Sequence, residues 1–345
     1  MNGSTNSGAT FSEEPALFMR EGESNGGSTI FLPQIHEALN IVHGPYSSND
    51  SRREASLFLE QVKAKDESPY HGFTLASDKS QLPVVRHYAL SLLEHAIKHK
   101  WAEFSAEQAS ALRQWVLQLS REVSPEDPLY LRNKTAQLWV EIAKRSWAAD
   151  WMDMDELLVQ LWGIPGSVVH KEFVLFVLET LSDEVFTGED TVASMREGAL
   201  SKACVEILTP AIVLAEAFPQ REIKNIVRYG EEGWLVRIGE LLGQCLDQDL
   251  QRDTQYQSCA VKALAVYKST MPWAIPRAIS SASCVQNMCK SLAVSSVAVQ
   301  LVSLRTRPKL AYLSCVILAN YSRPQWKHSM HCTAEWSFRM KIFLL

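Results

Sequence analysis

The sequence predicts an all-α fold: an α-solenoid of HEAT-like antiparallel helix pairs. Three observations lead there. Apolar residues recur at helical spacing along most of the chain, and alternating strand patterns are almost absent. Proline, glycine and small polar residues punctuate that pattern about once per helix. Sliding the chain by 46 residues lays Arg86 on Arg132, Leu92 on Leu138, Lys98 on Lys144, Trp101 on Trp147 and Ala102 on Ala148. A period in the forties, made of two helices, is the signature of HEAT or armadillo arrays. Each pair carries two apolar faces and buries both only by stacking on its neighbours.

At the N-terminal end, residues 1–30 are rich in Gly, Ser, Asn and Thr and are expected to form a flexible tail. Pro33 suits a first helical turn, with Ile35, Ala38, Leu39 and Val42 behind it and Gly44-Pro45 as the stop. Asn49, Asp50 and Ser51 offer caps for a second helix bearing Ala55, Phe58, Leu59 and Val62. Pro83 opens a long helix to about Trp101. Ser105 caps another carrying Leu112, Trp115, Val116 and Leu119, and Pro128 opens one with Leu131, Thr135, Leu138 and Ile142 inward. Asp150 to Trp162 and Ser167 to Val185 come next. Residues Thr191 to Phe218 are expected to be helical with Pro210 as a boundary. Glu222 to Cys245, Tyr256 to Tyr267, Cys284 to Leu304 and Leu310 to Ala319 continue the pattern, broken at Met271-Pro272-Trp273. The solenoid thus spans 31–320. From Ser322 the periodicity lapses, so 321–345 is expected to be an irregular tail to an array cut short at this end.

Composition narrows the function. The 345 residues are 46% apolar and 21% charged, which suits a chain that buries a core. With only 15 Gly and 14 Pro, collagen-like and mucin-like readings fail. A net charge of −5 gives no general attraction to nucleic acid or anionic lipid. The seven cysteines are scattered without a Cys-x-x-Cys, which points to reduced, buried thiols. The N-terminus lacks the basic and apolar regions of a secretory signal. The longest uncharged stretch, Ser291 to Leu304, is 14 residues, short of the roughly 20 a membrane helix needs, so no membrane role is expected.

Signals for chemistry are weak. His95 and His99 stand at i, i+4, but the order is Glu-His-x-x-x-His and no third ligand is evident. Asp153, Asp155 and Glu156 lack the central glycine of a calcium loop and lie where a helix start wants acids; Asp247, Asp249 and Asp253 also lack that glycine. No phosphate-binding glycine loop and no Gly-x-Ser-x-Gly occurs. Neither catalysis nor a cofactor or metal is expected. The ten tryptophans read as inter-repeat core. Two polar stripes carry more. One holds His87, Ser91, Glu94, His95 and Lys98. The other holds Lys134, Gln137, Glu141 and Lys144. On a superhelix, such second-helix faces line the concave wall that grips a partner.

The stretch LPVVRHYALSLLEHAIKHKW (Leu82 to Trp101) resembles the early repeat of the importin-β/karyopherin superfamily, most of all its exportin-5 branch, through Arg-His, Leu-Glu-His and Lys-x-Trp. LRNKTAQLWVEIAKRSWAADWMDM (Leu131 to Met154) is similar to that branch's next segment, with Ile-Ala-Lys-Arg-x-Trp and then Trp-x-Asp-Met. The resemblance extends, more faintly, over Tyr256 to Arg307. It implies a nuclear transport receptor that shuttles between nucleus and cytoplasm. It would bind the GTP-bound small GTPase Ran and take part in export of RNA (tRNA or pre-microRNA) or phosphoprotein cargo. Family cargo surfaces lie largely beyond a region of this size, and nuclear pore proteins are further partners the resemblance allows. Helical phase together with this analogy marks Arg86, Glu94, Lys98, Lys134, Glu141 and Lys144 as candidate contacts. The alternative is a HEAT-repeat interaction scaffold with no GTPase partner.

Overall fold

The structure is a computed structural model; it describes residues 17–18, 26–166, 168–220, 228–250, 252–279 and 287. Fourteen α-helices and no β-strand occur among the described residues: α1 (Gly26–His43), α2 (Asn49–Lys63), α3 (Ser68–Ser77), α4 (Pro83–His99), α5 (Ala106–Arg121), α6 (Leu129–Ser146), α7 (Met154–Trp162), α8 (Val169–Phe186), α9 (Thr191–Met195), α10 (Glu197–Leu208), α11 (Ala211–Ala217), α12 (Gly233–Leu246), α13 (Thr254–Thr270) and α14 (Pro276–Ile279). The fold class is all-α and HEAT-like, as expected. None of these helices is long and apolar enough to cross a membrane. Two compact units divide between Ile142 and Ala143, within α6.

In the first unit α1 packs on α2, and α3 on α4 and α5. Helix entries obey local chemistry. Ser48, not the Asn49–Ser51 run, caps α2, its hydroxyl accepting from Ser51 N at 3.1 Å. Ser105 and Gln108 close a reciprocal capping box at α5. Pro83 sits in the first turn of α4, where its missing N–H costs nothing. Helix α1 starts at Gly26, seven residues before Pro33, which lies inside the helix. The expected tail therefore ends earlier than residue 30. Within it, Phe18 is buried.

Helix α3 lies in a stretch where sequence reading placed no element. It closes on α4 through Gly72, where a Cβ would sit 2.8 Å from Ala89 O and 3.1 Å from Leu92 Cβ. The buried hydroxyl of Tyr88 on α4 donates to Leu59 O on α2 at 2.7 Å. An equivalent tie recurs in the second unit, where Tyr267 on α13 donates to Leu235 O on α12 at 2.6 Å.

The second unit packs α8 against α13, α7 and α10, and α12 against α13, α10 and α14. The expected helix from Thr191 to Phe218 is three helices. One break is at Arg196, and Pro210 caps α11. Helix α12 runs from Gly233, which takes φ +72 and packs too closely on Thr209 for a side chain; the expected start at Glu222 lies outside the described residues. The helices expected over Cys284 to Leu304 and Leu310 to Ala319, and the irregular tail, lie outside the described residues apart from Asn287. Cys204, Cys245 and Cys259 are free and buried. Trp115, Trp139, Trp147, Trp151 and Trp234 are buried in the core, whereas Trp101 and Trp162 are half-buried.

Candidate protein-binding site

Four of the six residues marked by helical phase meet in one charged cluster on α4 and α6. Glu94 accepts from Lys98 one turn on at 3.0 Å and from Lys134 of α6. Lys98 also reaches Glu141 at 3.5 Å. Gln137 donates to Glu141 at 3.2 Å. Burial pushes the Glu94 carboxyl up, but the bonds from Lys134 and Lys98 outweigh it and hold the group below the usual carboxylate range. Burial pulls Lys98 down, and the Glu94 and Glu141 carboxylates more than compensate, so its ammonium titrates above the ordinary lysine value. At neutral pH Glu94 is therefore ionised and Lys98 protonated.

Arg86 belongs to a different site, about two turns of α4 before Glu94. Its Nη1 pairs with Asp127 at 2.5 Å and its Nε donates to Ala76 O at 3.1 Å. Lys79 meets the same carboxylate at 2.8 Å. Burial raises Asp127, and the two cations overcome that and bring it below its usual value. Arg86 thus ties α3, α4 and the turn before α6 together.

Lys144 lies in the second unit. Its side chain is 1% exposed, and its ammonium sits between Glu184 at 2.7 Å and Asp190 at 2.8 Å. Arg196 then donates to Lys144 O at 2.8 Å and Trp147 O at 2.6 Å, satisfying carbonyls at the end of α6. Helical phase put Glu141 and Lys144 on a polar stripe expected to face a partner; both are buried. Glu141 is held beneath Lys98 and Gln137. Lys144 is covered by the end of α8 and the entry of α9, which bring Glu184 and Asp190 onto it. Asp127, Glu184, Asp190 and Arg196 escaped the sequence reading. A signal existed: Arg86, Lys98 and Lys144 each find an acid 40 to 46 residues downstream, close to the repeat length.

His95 and His99 rings stand 4.6 Å apart on α4. Among the described residues no group of three metal-ligand side chains forms. The cluster offers paired charges of both signs on α4 and α6.

Known proteins share this chain's sequence over the same helices. The Importin-beta N-terminal domain family matches residues 55–122, and the Exportin 1-like protein family matches 128–213. Protein MSN5 of Saccharomyces cerevisiae is 31% identical over 261 residues, 71% of this chain and 21% of that protein. Exportin-5 of Dictyostelium discoideum is 26% identical over 162 residues, 47% of this chain and 14% of that one. Exportin-5 of Homo sapiens is 28% identical over 158 residues, 45% of this chain and 13% of its own length. The chain belongs to the importin-β superfamily, among its exportin-5-like members. It spans about a fifth of the length of protein MSN5. Within this superfamily chain the first family match runs from α2 to the end of α5 and takes in Arg86, Glu94 and Lys98. The second opens at Pro128 and takes in Lys134, Glu141 and Lys144.

Proposed function

We propose that this chain forms the GTPase-binding region of a nuclear export receptor and contacts Ran in its GTP form. The observation that carries the reading is the Importin-beta N-terminal match over residues 55–122, continued directly by the Exportin 1-like match over 128–213. The charged cluster supports it. A surface that alternates Lys and Glu suits a protein partner of mixed charge better than a polyanion, as does the net charge of −5. Within the cluster, Lys98 keeps 38% of its side chain in water, Lys134 20% and Glu94 18%, so these three are the candidate contacts. Arg86, Glu141 and Lys144 act as positioning residues that hold the helices presenting them.

The mechanism is binding without covalent chemistry. Partner side chains would exchange with the internal ion pairs at Lys98 and Lys134, and flexing of the helical array would couple GTPase and cargo occupancy. RNA or phosphoprotein cargo, contacts with nuclear pore proteins and movement between nucleus and cytoplasm belong to the same proposal. Full-length chain on beads, incubated with Ran loaded with a non-hydrolysable GTP analogue or with GDP, tests it. Retention at least tenfold stronger for the GTP form is expected. Equal retention of both forms, or none, overturns the GTPase reading and leaves an interaction scaffold.

A further inference from the structure

Phe18 is 4% exposed although α1 begins only at Gly26. Its ring sits 5.1 Å from that of Trp115 and meets Phe104 edge-on at 5.8 Å. Trp115 in turn stacks on Phe73 at 5.0 Å and 6°. The backbone is held as well. Gln108 uses its Oε1 in the α5 capping box, accepting from Ser105 N at 2.9 Å, which aims its Nε2 outward to donate to Leu17 O at 2.8 Å. Beside this foot opens a recess of about 290 Å3, lined by Leu17, Phe18, Asp66, Lys100, Phe104 and Gln108 among others. A preset amide donor, an aromatic slot and adjoining free volume are the parts of a peptide-docking site.

We infer that the aromatic slot between α3 and α5 is a docking site for a short segment with an aromatic anchor, filled in cis by the helical turn at Leu17 and Phe18. One ring and one backbone hydrogen bond hold the described part of this segment. Burial of a single phenylalanine favours the docked form by roughly ten- to a hundredfold before the cost of ordering the tether. That range keeps the slot closed at rest and still lets the anchor exchange. The inference stands apart from GTPase binding, since none of its residues belongs to the charged cluster.

A fluorescein-labelled peptide of residues 13–22 tests it against the full-length chain and its Phe18→Ala variant. Tethering supplies the cis anchor at roughly millimolar effective concentration, so the wild type resists the peptide. The expected result is a Phe18→Ala chain with near-native helicity that binds the peptide at least tenfold tighter than wild type. The same peptide with alanine at the anchor should lose that gain. Equal or absent binding to the two chains would overturn the inference. A Phe18→Ala chain that fails to fold would overturn it too, because Phe18 would then be an obligatory core residue and not an exchangeable anchor.

Discussion

Lys98 and Lys144 occupy the same place in the 46-residue repeat, each three residues before a tryptophan, and meet opposite fates. Lys98 keeps 38% of its side chain in water while it pairs with Glu94 and Glu141. Lys144 keeps 1%, clasped by Glu184 and Asp190. The difference comes from the elements downstream of each helix. Asp190 caps α9 through Ala193 N at 2.8 Å, and the same side chain reaches Lys144. A cap of a later helix therefore closes over the lysine. Periodicity sets which way a side chain points; the next elements decide whether that direction is surface or interior.

The largest expected effect tests that contrast. Lys144→Ala leaves two carboxylates facing each other around a void. Breaking a buried pair by removing one partner costs about 3 kcal/mol, which urea unfolding measures through a shifted midpoint at unchanged slope. Asp190, raised by burial but brought below its usual value mainly by its bond from Lys144, should titrate upward in this variant. A loss no larger than at Lys98 would break the comparison.

Next in size is Gly72→Ala, which asks whether the exposure of Lys98 depends on how α4 is seated. The added methyl meets backbone at Ala89 O, which cannot rotate away, so α4 must back off α3. Overpacking of this kind costs about 2 kcal/mol. Thermal unfolding reads the loss, and faster amide exchange along α4 than along α13 would locate it.

A pair of aspartates sharpens the comparison through pH. Asp127 faces Arg86 and Lys79 and titrates below its ordinary value. Asp155 is buried against neutral donors, Trp234 Nε1 and Tyr229 N, both at 2.6 Å, and desolvation outweighs those bonds to raise it. The signs oppose each other. The contribution of Asp127 is present above the unfolded value near 4 and is lost as pH falls through its lower folded value. That of Asp155 is present below about 4 and fades as pH rises through its higher folded value. Asp127→Asn should cost about 1 kcal/mol at pH 7 and lose less stability than wild type between pH 5 and pH 3. An unchanged acid slope would remove the Arg86–Asp127–Lys79 site as its origin.

Much of this architecture is legible in the sequence where local chemistry dictates it. Pro83, Ser105 and Pro128 mark the entries of α4, α5 and α6, and all three are real. Helix α3 is not legible, since Gly72 interrupts a short stretch whose helicity comes from packing on α4. The Thr191–Phe218 stretch hides its break at Arg196, whose guanidinium serves carbonyls 49 and 52 residues upstream. The candidate site divides in the same way. Glu94 and Lys98 share a face of α4 by phase alone, and Lys134 meets them from α6. The burial of Lys144 depends on residues that arrive a repeat later.

The smallest expected effect on stability carries the most about function. Lys98→Ala removes a partly exposed ion pair, and such pairs contribute about 0.5 kcal/mol. Urea unfolding should barely register it. Charge reversal, Lys98→Glu with Lys134→Glu, places two acids beside Glu94 and changes the sign of the exposed cluster, while the buried contacts of Lys144 are untouched. If this face meets the GTPase, binding of the GTP form should fall at least fivefold in the reversed chain. Lys144→Ala, compared at equal folded fraction, should bind as wild type. The opposite pattern, with binding lost at Lys144 and kept at Lys98 and Lys134, would move the recognition surface off the charged cluster while leaving the fold intact.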